Sequence, residues 1–287
     1  MPTPKIIECP RDAMQGIKTF IPTADKVRYL QSLLDVGFDT LDFGSFVSPR
    51  AVPQMQDTET VLQQLDTTYT NTHLLAIVAN VRGAQKACGF EKVDCVGYPF
   101  SISENFQMRN THKTISESVE VLQHILQLTQ AYNKTLVVYL SMGFGNPYGD
   151  PWNVDIVVSW IQRLADMGVE IVSLSDTVGA AQPSDISFLF SSLIHEFPNI
   201  EFGAHFHTHP KRWFEKVNAA YAGGCLRFDG AVQGYGGCPM AKDELTGNMP
   251  TEKLINFFTE NKQAHGLNLA HFESAYNKAT ALFTLYS

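Results

Sequence analysis

What most constrains this chain is its rhythm: short β-branched and apolar runs alternate with longer stretches of helical period from end to end. Strands are expected at Lys5 to Cys9, Thr40 to Phe43, His73 to Ala79, Lys92 to Val96, Thr135 to Ser141, Glu170 to Leu174, Ile200 to His207 and Leu226 to Gly230. Helices are expected between them, at Thr23 to Val36, Thr114 to Tyr132, Pro151 to Met167, Pro183 to Phe197 and Pro210 to Ala222. Pro151 and Pro183 suit a first helical turn, and Gly37, Gly168 and Gly223 suit helix ends. Eight strand-helix alternations within about 250 residues are the arithmetic of a (β/α)8 TIM barrel. An open doubly wound sheet is the structural alternative. Two further helices, Pro250 to Asn261 and Leu267 to Leu285, are expected to pack over or beside the barrel.

The chain has 287 residues, 44% of them hydrophobic and 17% charged, enough for one large core or two ordinary domains. No Gly/Ser-rich linker or compositional shift divides it, so residues 1–287 are expected to form a single catalytic domain with C-terminal helices from about residue 250. A formal charge of −8 without a basic tract argues against a nucleic-acid partner. No apolar run reaches the roughly 18 residues that cross a bilayer, so no membrane partner is expected. The N-terminus carries no apolar signal core. Five cysteines, odd in number and without a Cys-x-x-Cys pair, fit a reducing compartment, and the expected location is cytoplasmic.

In a barrel the chemistry gathers at the C-terminal ends of the strands, and polar residues gather there in this sequence. Strand one runs into Pro10-Arg11-Asp12-Ala13-Met14-Gln15, and strand two ends on Asp42 and continues as Gly44-Ser45-Phe46-Val47-Ser48-Pro49. Strand six ends with Ser173, Ser175, Asp176 and Thr177, where Asp176 suits either a functional role or a plain N-cap or loop carboxylate. Strand seven carries His205 and His207, which share one face because side chains two apart on a strand point the same way. A buried strand with hydrogen-bonded histidines is the plain reading of that pair. Two imidazoles plus a carboxylate from another strand is the sharper one, since it leaves positions open for substrate oxygens on a catalytic divalent ion. With Asn248 adding oxygen, the set suits Mg2+ or Mn2+ better than a closed structural zinc site. After strand eight, the three glycines of Gly234-Tyr-Gly-Gly-Cys238-Pro permit unusual backbone angles in a loop that can close over a ligand.

Taken together, Ile7-Glu-Cys-Pro-Arg-Asp-Ala-Met-Gln15, Ser45-Phe-Val-Ser-Pro-Arg50, Val52-Pro-Gln-Met55, Ser173-Leu-Ser-Asp-Thr177, His205-x-His207, Gly236-Gly-Cys-Pro239 and Gly247-Asn248 resemble 3-hydroxy-3-methylglutaryl-CoA lyase. The resemblance implies a TIM barrel that cleaves 3-hydroxy-3-methylglutaryl-CoA to acetoacetate and acetyl-CoA. It implies Asp12, His205, His207 and Asn248 as ligands of Mg2+ or Mn2+, and Arg11 as the group facing the enolate. It also implies Cys238 as the acid/base cysteine, Gln15 as a neighbouring polar residue, Asp42 where relatives have glutamate, and a homodimer.

This chain departs from the family pattern at Ala13, at Asp42 and at Thr208-His209-Pro210-Lys211. His209 is read as a loop residue because Pro210 ends the strand. Alternative readings are a related acyl-CoA lyase, a Claisen-condensing synthase or a metal-dependent aldolase of the same superfamily. The non-enzyme alternative is a barrel that has lost catalysis and serves as a binding subunit.

Overall fold

A computed structural model describes residues 3–237 and 246–287. Its first eight strands are β1 (Lys5–Glu8), β2 (Thr40–Ser45), β3 (His73–Ile77), β4 (Cys95–Ser101), β5 (Thr135–Ser141), β6 (Ile171–Asp176), β7 (Glu201–Thr208) and β8 (Arg227–Gly230). Each is parallel to its neighbours, β6 pairs β7 and β8 pairs β1, so the sheet closes on itself as a (β/α)8 TIM barrel. A two-residue ninth strand, β9 (Gly247–Asn248), adds antiparallel to the upper end of β7 and sets Asn248 opposite His207.

The helices of the outer layer are α1 (Pro10–Gln15), α2 (Thr23–Leu34), α3 (Thr58–Gln64), α4 (Val81–Cys88), α5 (Glu104–Thr111), α6 (Ile115–Ala131), α7 (Val154–Met167), α8 (Pro183–Glu196) and α9 (Trp213–Ala222). After β8 come α10 (Thr251–Glu260) and α11 (Leu269–Tyr286). Helix α11 lies against α2, where Phe283 meets Tyr29 edge to face. No described helix is long and apolar enough to cross a membrane.

Most boundaries fall where expected, and the exceptions have local causes. Strand four runs over Cys95–Ser101 rather than Lys92 to Val96, because Asp94 turns its carboxylate onto the Leu74 amide at 2.8 Å and ends the preceding turn. Helix α7 starts at Val154 rather than Pro151; Asn153 is the cap, accepting from the Ile156 amide at 2.8 Å. Helix α9 starts at Trp213, three residues past Pro210, whereas Pro183 does open α8. Gly168 ends α7 in the left-handed region at φ +87°. At the end of α9 that conformation belongs to Gly224, φ +96°, and not to Gly223.

The barrel interior is divided. On the β3–β5 side Leu75, Ile77, Cys95, Val137 and Tyr139 form a small apolar cluster, separate from the large core between strands and helices. On the β2 and β6–β8 side polar or charged residues point inward: Asp42, Ser173, His205, Arg227 and Asp229 are buried or nearly so. The N-terminal end is closed by ions, with Lys5 at 2.6 Å and Arg227 at 3.3 Å from Glu201. The polar half opens at the other end, and the site lies there.

Candidate active site

Pro10 starts α1 directly after β1, and this one helical turn decides where Arg11 and Asp12 point. The Arg11 guanidinium spans two carboxylates. Its Nε donates to Asp42 at 3.0 and 3.2 Å, its Nη2 to Asp42 Oδ2 at 2.5 Å and its Nη1 to Asp12 Oδ1 at 3.1 Å. Gln15, one turn on, accepts from Nη1 at 3.0 Å and donates to Asp12 Oδ1. The shorter Asp42 still reaches Arg11 in a two-pronged contact. Ala13 sits within α1, so no glycine angles are required there.

Asp12, His205 and His207 converge: each offers a ligand atom, and the three atoms lie within 4.8 Å of one another. His205 Nε2 is 4.0 Å from Asp12 Oδ2, while its Nδ1 is held by Asp229 Oδ2 at 2.9 Å, and the two imidazole rings are 5.2 Å apart. Asp12 Oδ2 and His207 Nδ1 are buried without a hydrogen-bond partner. Buried polar atoms are rarely left so, and an unsatisfied carboxylate oxygen beside two imidazoles is what a divalent cation would satisfy. Asn248, brought beside His207 by β9, donates from Nδ2 to Tyr235 O at 2.8 Å. Asp12, His205 and His207 therefore fit a divalent cation.

Electrostatics support the same picture. Burial opposes ionisation of Asp12, but Arg11, His207 and His205 outweigh it and hold the carboxyl below its ordinary value. Burial drives His207 down to about 4 against the pull of Asp12, leaving a neutral imidazole. Burial acts against His205 as well, yet the Asp229 contact raises it. Burial pushes Asp42 up to about 6 although Arg11 pulls it down, and Asp42 with Asp12 holds Arg11 above its ordinary range against burial.

A cleft of about 430 Å³ opens over this cluster. Arg11, Asp12, Gln15, His205 and His207 line its floor, and Val47, Val52, Ile77 and Phe106 give it an apolar side. Arg109, over the Tyr148 ring at 4.9 Å, stands along it too.

Of the residues singled out from sequence, Cys238 lies outside the described residues. Asp176 does not line the cleft; it is buried behind it, paired with Lys216 at 2.5 Å and accepting from the Ala181 amide. His209 lies past the end of β7, its ring accepting from the Lys211 amide at 3.2 Å. Cys9, Cys88, Cys95 and Cys225 are buried free thiols. Sequence reasoning missed Asp229 and Lys216. The signal for Asp229 was an acidic residue at an inward position of a strand expected to be buried, which calls for a partner.

A model of the HMGL-like family matches residues 4–278. The hydroxymethylglutaryl-CoA lyase of Bacillus subtilis (strain 168) is 32% identical over 260 residues, covering 89% of this chain and 86% of that protein. The HMG-CoA lyase structure from Brucella melitensis superposes with a TM-score of 0.90 at 28% identity, over 98% of this chain and 99% of that one. The HMG-CoA lyase from Acenitobacter baumannii in complex with coenzyme A and 3-methylmalate gives 0.89 at 27% identity, over 98% and 91%.

Proposed function

The chain belongs to the HMGL-like family, and on that premise we propose that it is a carbon-carbon lyase that cleaves 3-hydroxy-3-methylglutaryl-CoA to acetoacetate and acetyl-CoA. The observation that carries the assignment is the convergence of Asp12, His205 and His207 under a cleft whose floor also holds Arg11. The proposed ligands are Asp12, His205, His207 and Asn248, and the proposed ion is Mg2+ or Mn2+. When bound, such an ion supplies Lewis-acid polarisation of substrate oxygens.

The chain's own groups supply the rest. Cleavage removes the proton of the C3 hydroxyl, and the electron pair of the C2–C3 bond leaves with the thioester half as the acetyl-CoA enolate. A proton then returns to C2. Arg11 is proposed to face the enolate oxygen. Its contacts to Asp42, Asp12 and Gln15 fix the guanidinium plane, and Nη2 keeps one hydrogen without an acceptor among the described residues. Asp42 and Gln15 thus position the cation. Asp229 holds the tautomer of His205 whose Nε2 lone pair points at Asp12. Cys238 is proposed as the proton carrier to C2. An acyl-CoA is the expected partner, and a homodimer the proposed assembly.

Incubation of the purified protein with 3-hydroxy-3-methylglutaryl-CoA, with and without Mg2+ or Mn2+, tests the assignment. Metal-dependent release of acetyl-CoA is expected; none at any enzyme concentration would remove it.

A further inference from the structure

Lys216 lies on α9, outside the cleft, and is fully buried. Its Nζ has three acceptors: Asp176 Oδ2 at 2.5 Å, His207 O at 3.0 Å and Gly179 O at 3.1 Å. These use all three ammonium hydrogens. Asp176 ends β6, Gly179 lies in the loop that follows it, and His207 is at the upper end of β7. One cation therefore ties the ends of two adjacent strands together from behind.

The Gly179 backbone lies close to the same carbonyl. A Cβ built on it would sit 3.5 Å from His207 O and 2.8 Å from the Thr246 methyl, next to β9. A buried ion pair is a poor way to gain stability, since an apolar pair of like volume often serves as well or better. The position of this pair points to geometry instead: of the atoms it could bond, it takes the carbonyl of the residue whose imidazole belongs to the Asp12, His205 and His207 cluster.

We propose that Lys216 is a positioning residue for the metal site, fixing the peptide of His207 so that its imidazole is held toward Asp12 and His205. The inference rests on His207 being a metal ligand, and its test separates the two. Lys216→Met combined with Asp176→Asn removes both charges together and leaves no buried ion unpaired. Asp176→Asn alone keeps the lysine and its two carbonyl contacts.

Mn2+ affinity is read by calorimetry on metal-free protein, beside Tm. The double variant is expected to weaken Mn2+ binding by about 10-fold or more, the usual scale for supporting groups behind a ligand. Asp176→Asn is expected to stay within about threefold of the unaltered protein, a split that loss of the ion pair alone would not produce. Lys216→Leu with Asp176→Asn is a second neutral variant without a donor that keeps the comparison standing should the methionine variant fail to fold. Equal Mn2+ affinity in a folded neutral variant and the unaltered protein overturns the positioning role, as does equal weakening in Asp176→Asn and the double variants. Absence of Mn2+ binding by the unaltered protein overturns the underlying site as well.

Discussion

The two histidines of β7 show what an alternating strand makes legible and what it hides. Their shared face was readable because the period is two, and the rings do stand 5.2 Å apart over Asp12. Their different surroundings were not readable. His205 is held by Asp229 from the register-matched position of β8, whereas His207 Nδ1 is left without a partner. Register across a closed sheet brings residues 24 positions apart into contact, and nothing local in the sequence announces it. His207→Ala is therefore expected to lose Mn2+ affinity by at least about tenfold while Tm without metal changes little. Calorimetry of the variant checks this, and binding at the original affinity would take His207 out of the ligand set.

Among the elements, the long helices and the eight strands were legible because each carries a sustained apolar stripe or run. Helices α1, α3, α4 and α5, of 6, 7, 8 and 8 residues, were not among the helices read from sequence, since two turns give too little periodicity to distinguish a helix from a loop. Yet α1 alone sets Arg11 and Asp12. The connection after β8 was legible as glycine-rich, and its glycines prove necessary: Gly234, Gly236 and Gly237 have φ of +67°, +82° and +135°. A Cβ on Gly236 would stand 2.5 Å from Asp12 O and 2.7 Å from Ala13 Cα. Gly236→Ala should destabilise the fold by about 1–3 kcal/mol and weaken metal binding through Asp12, which denaturant titration and calorimetry would detect together.

Another element-level tie is Glu8, on the outer side of β1, which accepts from the Val232 amide at 2.9 Å and from Thr251 at the start of α10 at 2.5 Å. Burial raises Glu8 from 4.5 to about 8, against the pull of the Thr251 and Val232 contacts. The unfolded chain releases this proton near 4.5 and the folded one near 8, so this group's contribution is most favourable below about pH 4.5 and declines as pH rises toward 8. Glu8→Gln should flatten that decline in Tm across pH 5 to 8. Parallel Tm curves for the two proteins would contradict it.

At the scale of the whole molecule, the barrel interior is two materials. The apolar cluster of β3–β5 carries packing, whereas Asp42 of β2, the serines of β6, His205 and His207 of β7 and Asp229 of β8 make the opposite side polar. The number of strands was readable from the chain, but this partition was not, because inward and outward positions both read as buried in a closed barrel.

One consequence follows from β9. The strand that delivers Asn248 is hydrogen-bonded to the strand that delivers His207, and Gly236, ahead of Cys238 in the chain, lies against Asp12. The proposed ion and the proposed thioester would both bear on these backbone contacts, and thermodynamic reciprocity would then apply: any factor by which one ligand tightens the other must operate equally in reverse. Titrating Mn2+ with and without saturating acetyl-CoA, and acetyl-CoA with and without Mn2+, should close a square with a common coupling factor of about five or more. A factor of one would mean that the two proposed ligands bind as strangers, with β9 transmitting nothing between them.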